Sequence, residues 1–173
     1  TAFEEIGINK CCDHLLNSPG NFTASKLSWV KENEPKIYDK SYKFLLPGDF
    51  IAYKLTGEIS STVNGLSEGM FWDFKENKTA DFLFDYYGID KKLTPPIIEN
   101  FTVQSIVSKK GAQETGLKKG TPIKYRAGDQ PNNAMALNIL NAGEVAATGG
   151  TSGVLYGLTD VLVSKETLRL NNF

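Results

Sequence analysis

Hydrophobic positions divide this chain into a helix-dominated first half and a second half in which short strands and helices take turns. The first twenty residues read as helical and break at Ser18-Pro19-Gly20. Thr23 can cap a helix over residues 24–33, whose mostly apolar side carries Leu27, Trp29 and Val30 and which Pro35 limits. Residues 42–46 are predominantly apolar and read as a buried strand. Pro47-Gly48 turns the chain, and Asp49 can cap a helix over 50–55 that Gly57 ends. Residues 58–74 are polar and then aromatic, ending in Gly69-Met70-Phe71-Trp72-Asp73-Phe74. Thr79 can cap a helix through Tyr87 with Gly88 as its stop, and Pro95-Pro96 marks a further break.

Beyond that break the alternation is cleaner. A strand over 103–107 precedes a short helix over 108–115 closed by Gly116, and a second strand covers 122–127. Gly128-Asp129-Gln130 is a junction into a helix over 131–140, with Pro131 in the first turn, where its missing N–H costs little. Strands over 144–148 and 154–158 flank the glycine-rich Gly149-Gly150-Thr151-Ser152-Gly153. Mixed helices and short strands, without repeat or heptad, predict an α/β fold.

Composition narrows the function classes. The chain has 173 residues, and 19 basic against 20 acidic side chains leave a net charge of −1. No dense basic face exists to hold nucleic acid. No apolar stretch approaches the roughly 20 residues of a membrane span, so no membrane partner is expected. The acidic start, Thr1-Ala2-Phe3-Glu4-Glu5, lacks the pattern of a signal peptide. Cys11 and Cys12 are adjacent, a spacing that strains a disulfide, and two thiols fit a reducing, cytoplasmic compartment. With His14 they could be drawn as a metal cluster, but the spacing is too tight for tetrahedral zinc, and a helix turn with buried thiols accounts for them. A lone histidine with no nucleophile context speaks against a Ser-His-Asp hydrolase. The Asn-x-Thr triplets at Asn21, Asn77 and Asn100 read as chance occurrences.

Two segments could carry chemistry. Asp129 lies between a strand and a helix N-terminus, at the carboxyl edge where α/β sheets bind ligands, and Gly128 leaves room for close approach. Asp129 could be a plain helix cap; alternatively its carboxylate orients a substrate hydroxyl and accepts its proton. Glycines and hydroxyls at 149–153 could expose N–H and O–H donors to a phosphate, or simply close a hairpin; no lysine follows as in a P-loop. Together they suit a kinase: a carboxylate for the acceptor hydroxyl, a turn for the donor phosphate.

These two segments resemble the middle of the FGGY carbohydrate kinases. Further blocks agree in order. Asn21-Phe22-Thr23-Ala24-Ser25-Lys26-Leu27-Ser28-Trp29-Val30 is similar to the family's signature helix. Leu45-Leu46-Pro47-Gly48-Asp49-Phe50 through Leu55-Thr56-Gly57-Glu58 resembles its "LLP-x-D … L-T-G-E" block, and Gly69-Met70-Phe71-Trp72-Asp73 its "T-M-W-x-D" region. The resemblance implies a ribonuclease H-like lobe of the actin-like ATPase superfamily and a kinase that uses ATP and Mg²⁺. Its acceptor would be a primary hydroxyl of a ketopentose, D-xylulose first.

Carried over by residue, the resemblance implies that Asp129 is the catalytic base and that Gln130 lies beside the sugar. It implies that Gly150, Thr151 and Ser152 form the second phosphate-binding turn, and that Asn21 reaches substrate. Lys26 and Trp29 would hold the signature helix. Gln130 departs from the Asn that many xylulose-specific members carry and matches glycerol-specific ones. The family's opening Asp-x-Gly-Thr hairpin and its adenosine lobe have no counterpart here. Residues 1–173 are therefore expected to be one lobe, most of the sugar-binding domain of a longer kinase, inactive alone. Sugar and ATP would be its partners, with a homodimer ordinary for the family. The rivals are a kinase for gluconate, glycerol, ribulose or rhamnulose, a non-catalytic actin-like nucleotide module, and a structural lobe without a ligand.

Overall fold

Glycine and proline set most of the element ends. In the computed structural model, which describes residues 1–150 and 153–163, the helical opening is split into α1 (Ala2–Ile6) and α2 (Ile8–Leu15) by Gly7 at φ 104°. In α3 (Thr23–Asn33) Phe22, not Thr23, occupies the cap position, and the Ser25 hydroxyl donates to the Phe22 carbonyl at 2.9 Å. A single turn, α4 (Pro35–Tyr38), follows.

Helix α5 (Pro47–Thr56) begins earlier than expected, because Pro47 at its first turn needs no N–H partner. Asp49 is thus inside the helix and buried, not its cap, while Gly57 ends the helix at φ 84°. Residues 58–74 hold two elements that the sequence reading left unassigned: α6 (Val63–Glu68) and β1 (Trp72–Asp73). The Thr62 hydroxyl caps α6 by accepting the Gly65 N–H at 3.2 Å. β1 pairs antiparallel with β2 (Lys78–Thr79), and α7 (Asp81–Tyr87) follows, preceded by Ala80 rather than capped by Thr79.

The expected strand over 42–46 does not form. Its backbone is tied to its neighbour by Phe44 N–H donating to the Leu93 carbonyl at 3.0 Å, and among the described residues no strand lies beside it to continue a ladder. Its apolar character reflects packing instead, since the Phe44 ring stacks on Phe71 with centroids 4.4 Å apart. The expected strands over 103–107 and 122–127 shorten to β3 (Ser105–Ile106) and β4 (Pro122–Ile123), an antiparallel pair enclosing α8 (Lys109–Thr115). The last helix is α9 (Asp129–Ala136), so Asp129 belongs to its first turn. β5 (Val145–Gly149) and β6 (Gly153–Gly157) pair in register from Val145↔Gly157 to Gly149↔Gly153.

Among the described residues the strands form three separate antiparallel ribbons. The hydrophobic core lies in the first half, where Cys11 and Leu15 of α2, Ala24 of α3, Leu66 of α6, and Leu83 and Phe84 of α7 surround Phe71 and Trp72. Burial of such side chains is worth roughly 1.5–3 kcal/mol each and dominates the stability of this half. The second half is joined to it by α5, which packs against both α8 and β3, while α9 lies on the β5–β6 hairpin.

Candidate active site

Three helix N-termini converge on one cavity of about 290 Å³. Leu46, Pro47, Gly48 and Asp49 come from the start of α5, Thr62 and Gly65 from the start of α6, and Gly128 and Asp129 from the start of α9. Glu68 at the end of α6 and Arg126 on the segment leading from β4 complete the wall. The volume is near the lower end of the roughly 300–1,000 Å³ typical of small-molecule sites. Aligned peptide dipoles place partial positive charge at helix N-termini, which favours the acidic side chains Asp49 and Asp129 in these first turns.

The electrostatics of the wall come from one cation and three carboxylates. Arg126 Nη1 lies 3.4 Å from Asp49 Oδ1, with both side chains almost fully withdrawn from solvent. The guanidinium also donates to Gln104 Oε1 at 3.0 Å, to the Ser60 carbonyl at 3.3 Å and to the Ser60 hydroxyl at 3.1 Å. Asp49 Oδ2 accepts the Ser61 hydroxyl at 2.7 Å. Burial pushes the Asp49 carboxyl above its ordinary value, against the opposing pull of Ser61, Arg126 and the Leu46 backbone. Burial also raises Glu68; the Gly128 N–H opposes this, and the negative charges of Asp129 and Asp49 add to it. The structure thus brings together Glu68 and Arg126, neither of which the sequence reading singled out. Glu68 reaches Gly128 across 60 residues, and Arg126 reaches Gln104 across 22 and Ser60 across 66; no local pattern signals such contacts.

Asp129 is exposed at the edge of the cavity. It follows a short strand of an antiparallel ribbon rather than the edge of an extended sheet. Its Oδ1 accepts the Gln130 N–H at 2.9 Å, and the Gln130 side-chain amide reaches Oδ2 at 3.5 Å, so Gln130 sits directly against the carboxylate. Asn21 is exposed at φ 67° in the turn before α3 and is not among the residues lining this cavity. Gly150 is an exposed bend at the end of β5; Thr151 and Ser152 lie outside the described residues. Lys26 is exposed and Trp29 is 57% exposed, so α3 is held instead by buried Ala24 and Ser28 and by the Ala24 N–H donating to the Gly69 carbonyl at 3.0 Å. Cys11 and Cys12 lie in a turn of α2, the first buried in the core and the second half-buried, and His14 Nδ1 meets the Asp73 carboxylate at 2.8 Å.

The fold is the actin-like, ribonuclease H-like fold of the FGGY kinase structures it matches. The chain belongs to the FGGY family of carbohydrate kinases, whose N-terminal domain matches residues 14–136. Xylulose kinase of Bacillus subtilis is 29% identical over 83% of this chain and 30% of its own length. The crystal structure of xylulose kinase from Rhodospirillum rubrum superposes with a TM-score of 0.86 at 24% identity, covering 94% of this chain and 33% of that one. Plasmodium falciparum glycerol kinase with ADP gives a TM-score of 0.77 at 20% identity, over 86% of this chain and 30% of that one. The chain spans about a third of the length of the curated relatives it matches.

Proposed function

We propose that the protein to which this chain contributes its sugar-binding lobe transfers the γ-phosphoryl group of ATP to a primary hydroxyl of a ketopentose, D-xylulose giving D-xylulose 5-phosphate. The observation that carries this reading is Asp129 at the first turn of α9, exposed beside a cavity walled by Glu68, Asp49 and Arg126, in a chain of this family. The acceptor hydroxyl binds against the Asp129 carboxylate, which orients it and takes its proton as the oxygen attacks phosphorus. Little base strength is required, because phosphoryl transfer depends mainly on positioning and charge stabilisation. Gln130, held against the carboxylate, lies beside the sugar, and Asn21 contributes a further substrate contact.

The donor phosphate is assigned to Gly150, Thr151 and Ser152, the three residues between the paired Gly149 and Gly153. The packing of α9 on that hairpin supports a shared acceptor and donor site. Mg²⁺ usually keeps few protein ligands in such enzymes, and Asp129 is the cavity carboxylate exposed enough to contribute one. When bound, the ion neutralises charge on the nucleotide phosphates. The 173-residue chain alone is expected to be inactive.

The test is Asp129→Asn in the full-length enzyme. We expect kcat to fall by about 10²–10⁴-fold with sugar affinity retained; undiminished turnover would discard the assignment. A second acceptor class is favoured by Gln130, the residue of glycerol-specific members, and by the fit to a glycerol kinase fold. Comparing kcat/KM for D-xylulose, ribulose, gluconate and glycerol decides between them.

A further inference from the structure

We propose that Glu68 is a positioning residue whose carboxylate fixes the backbone that delivers Asp129 to the cavity, an inference that rests on the kinase reading above. Glu68 Oε1 accepts the Gly128 N–H at 2.6 Å. That is a short, charge-assisted hydrogen bond to the residue immediately before Asp129. Among the described residues the Asp129 carboxylate is hydrogen-bonded to Gln130 alone, its neighbour on the same turn. Its location is therefore set by the backbone. Glu68 holds the Gly128 N–H of that backbone from α6, the Ala127 carbonyl accepts the Asn132 side-chain amide of α9 itself at 3.0 Å, and the Arg126 side chain anchors the preceding segment on Ser60.

The grip is mounted on a fixed element. Leu66 and Ser67, beside Glu68, are buried. The Leu66 carbonyl accepts the Phe71 N–H at 2.7 Å, and the Gly69 carbonyl accepts the Ala24 N–H at 3.0 Å, tying the end of α6 to the core and to α3. The contact is also close on its other side. A Cβ on residue 128 would lie 2.7 Å from Glu68 Cδ and Oε1, and closer still to Oε2. At φ −67° the backbone there suits any residue, so a side chain at 128 would be accommodated by displacing the end of the Glu68 side chain, which breaks the contact. A group aligned this way contributes through geometry, and small displacements of a reacting group cost rate steeply.

The experiment compares Glu68→Ala and Glu68→Gln in the full-length enzyme. Glutamine keeps an oxygen that can accept the Gly128 N–H; alanine removes it. Expected for Glu68→Ala is a fall in kcat of about tenfold to a hundredfold with sugar KM within about twofold, and for Glu68→Gln recovery to within about fivefold of the parent. Hydrogen–deuterium exchange of the peptide spanning residues 126–130 gives a readout independent of turnover. It should accelerate in Glu68→Ala but not in Glu68→Gln. An active parent whose Glu68→Ala variant keeps its kcat, or whose exchange is unchanged, overturns the inference while leaving the kinase reading intact. Equal damage in both variants also overturns it, since that would mark the charge and not the grip as the working part. A parent inactive on every ketose and polyol would sink the kinase reading itself.

Discussion

Arg126 and Asp49 face each other across 3.4 Å with side-chain exposures of only 8% and 4%. The pair joins the segment leading to α9 with the start of α5, so it couples the two halves of the cavity wall. Buried ion pairs gain little net stability over apolar replacements, but removing one partner strands the other charge.

Arg126→Met should therefore destabilise the lobe by about 3–5 kcal/mol, because Asp49 would be left buried with only neutral partners. The contacts to Ser60 and Gln104 are lost at the same time. Chemical denaturation of the full-length protein, with the lobe's transition followed separately, checks this. A change in midpoint within error would show that water reaches the pair freely.

Gly111 of α8 sits against the backbone of α5. The Ser108 N–H and hydroxyl both donate to the Leu55 carbonyl, at 3.0 and 3.1 Å, and a Cβ on residue 111 would overlap that same carbonyl group. Gly111→Ala should cost about 1–3 kcal/mol by forcing the helices apart, despite alanine's better helix propensity. Thermal denaturation against the parent decides it; stabilisation would mean that α8 does not touch α5 this closely.

Local signals were legible in the sequence where the physics is local. Gly57, Gly88 and Gly116 each end a helix in the left-handed region, as their spacing indicated; Ser108, read as the first residue of α8, is its cap instead. The β5–β6 hairpin and the placement of Asp129 at a helix start were legible for the same reason. The apolar run at 42–46 misled because Phe44 packs on Phe71 while, among the described residues, its backbone has no strand to pair with. Helix α6 was missed because its cap, Thr62, stands in a polar stretch with two helix-interrupting glycines, Gly65 and Gly69, nearby. Glu68 and Arg126 were beyond reach, since their contacts join positions distant in the chain.

Cys11 tests the core by its silence. Burial, reinforced by Cys12 and opposed by Lys10, pushes its thiol up to about 11. The thiolate is the reactive species, so in the folded protein at neutral pH Cys11 should resist alkylation by iodoacetamide, and should become labelled on unfolding. A raised value means that the folded state retains the proton. This contribution to stability is complete below the ordinary value of 9.0 and is lost as pH rises through about 11. Peptide mapping after brief labelling checks the first part; rapid modification of Cys11 in the native protein would show that α2 does not shield it.

Glu68 should give the loop before α9 a measurable pH dependence. Its carboxyl is raised above the ordinary 4.5, chiefly by burial; the Gly128 N–H opposes this, and the charges of Asp129 and Asp49 add to the rise. With the folded value above the unfolded one, protonation favours folding. The contribution is fully present below pH 4.5 and is lost as pH rises through the raised value. The protonated carboxyl still offers an oxygen to Gly128, so the grip survives while the charge repulsion disappears. Glu68→Gln cannot titrate and serves as the reference. The stability of the parent relative to Glu68→Gln should therefore fall as pH is raised above the ordinary 4.5 and level off once the pH has passed the raised value. Denaturation curves for both proteins across that range measure the difference directly, with the other carboxylates cancelling to first order. A difference that stays flat, or that rises with pH, would mean that Glu68 is as well solvated in the folded protein as in the unfolded chain.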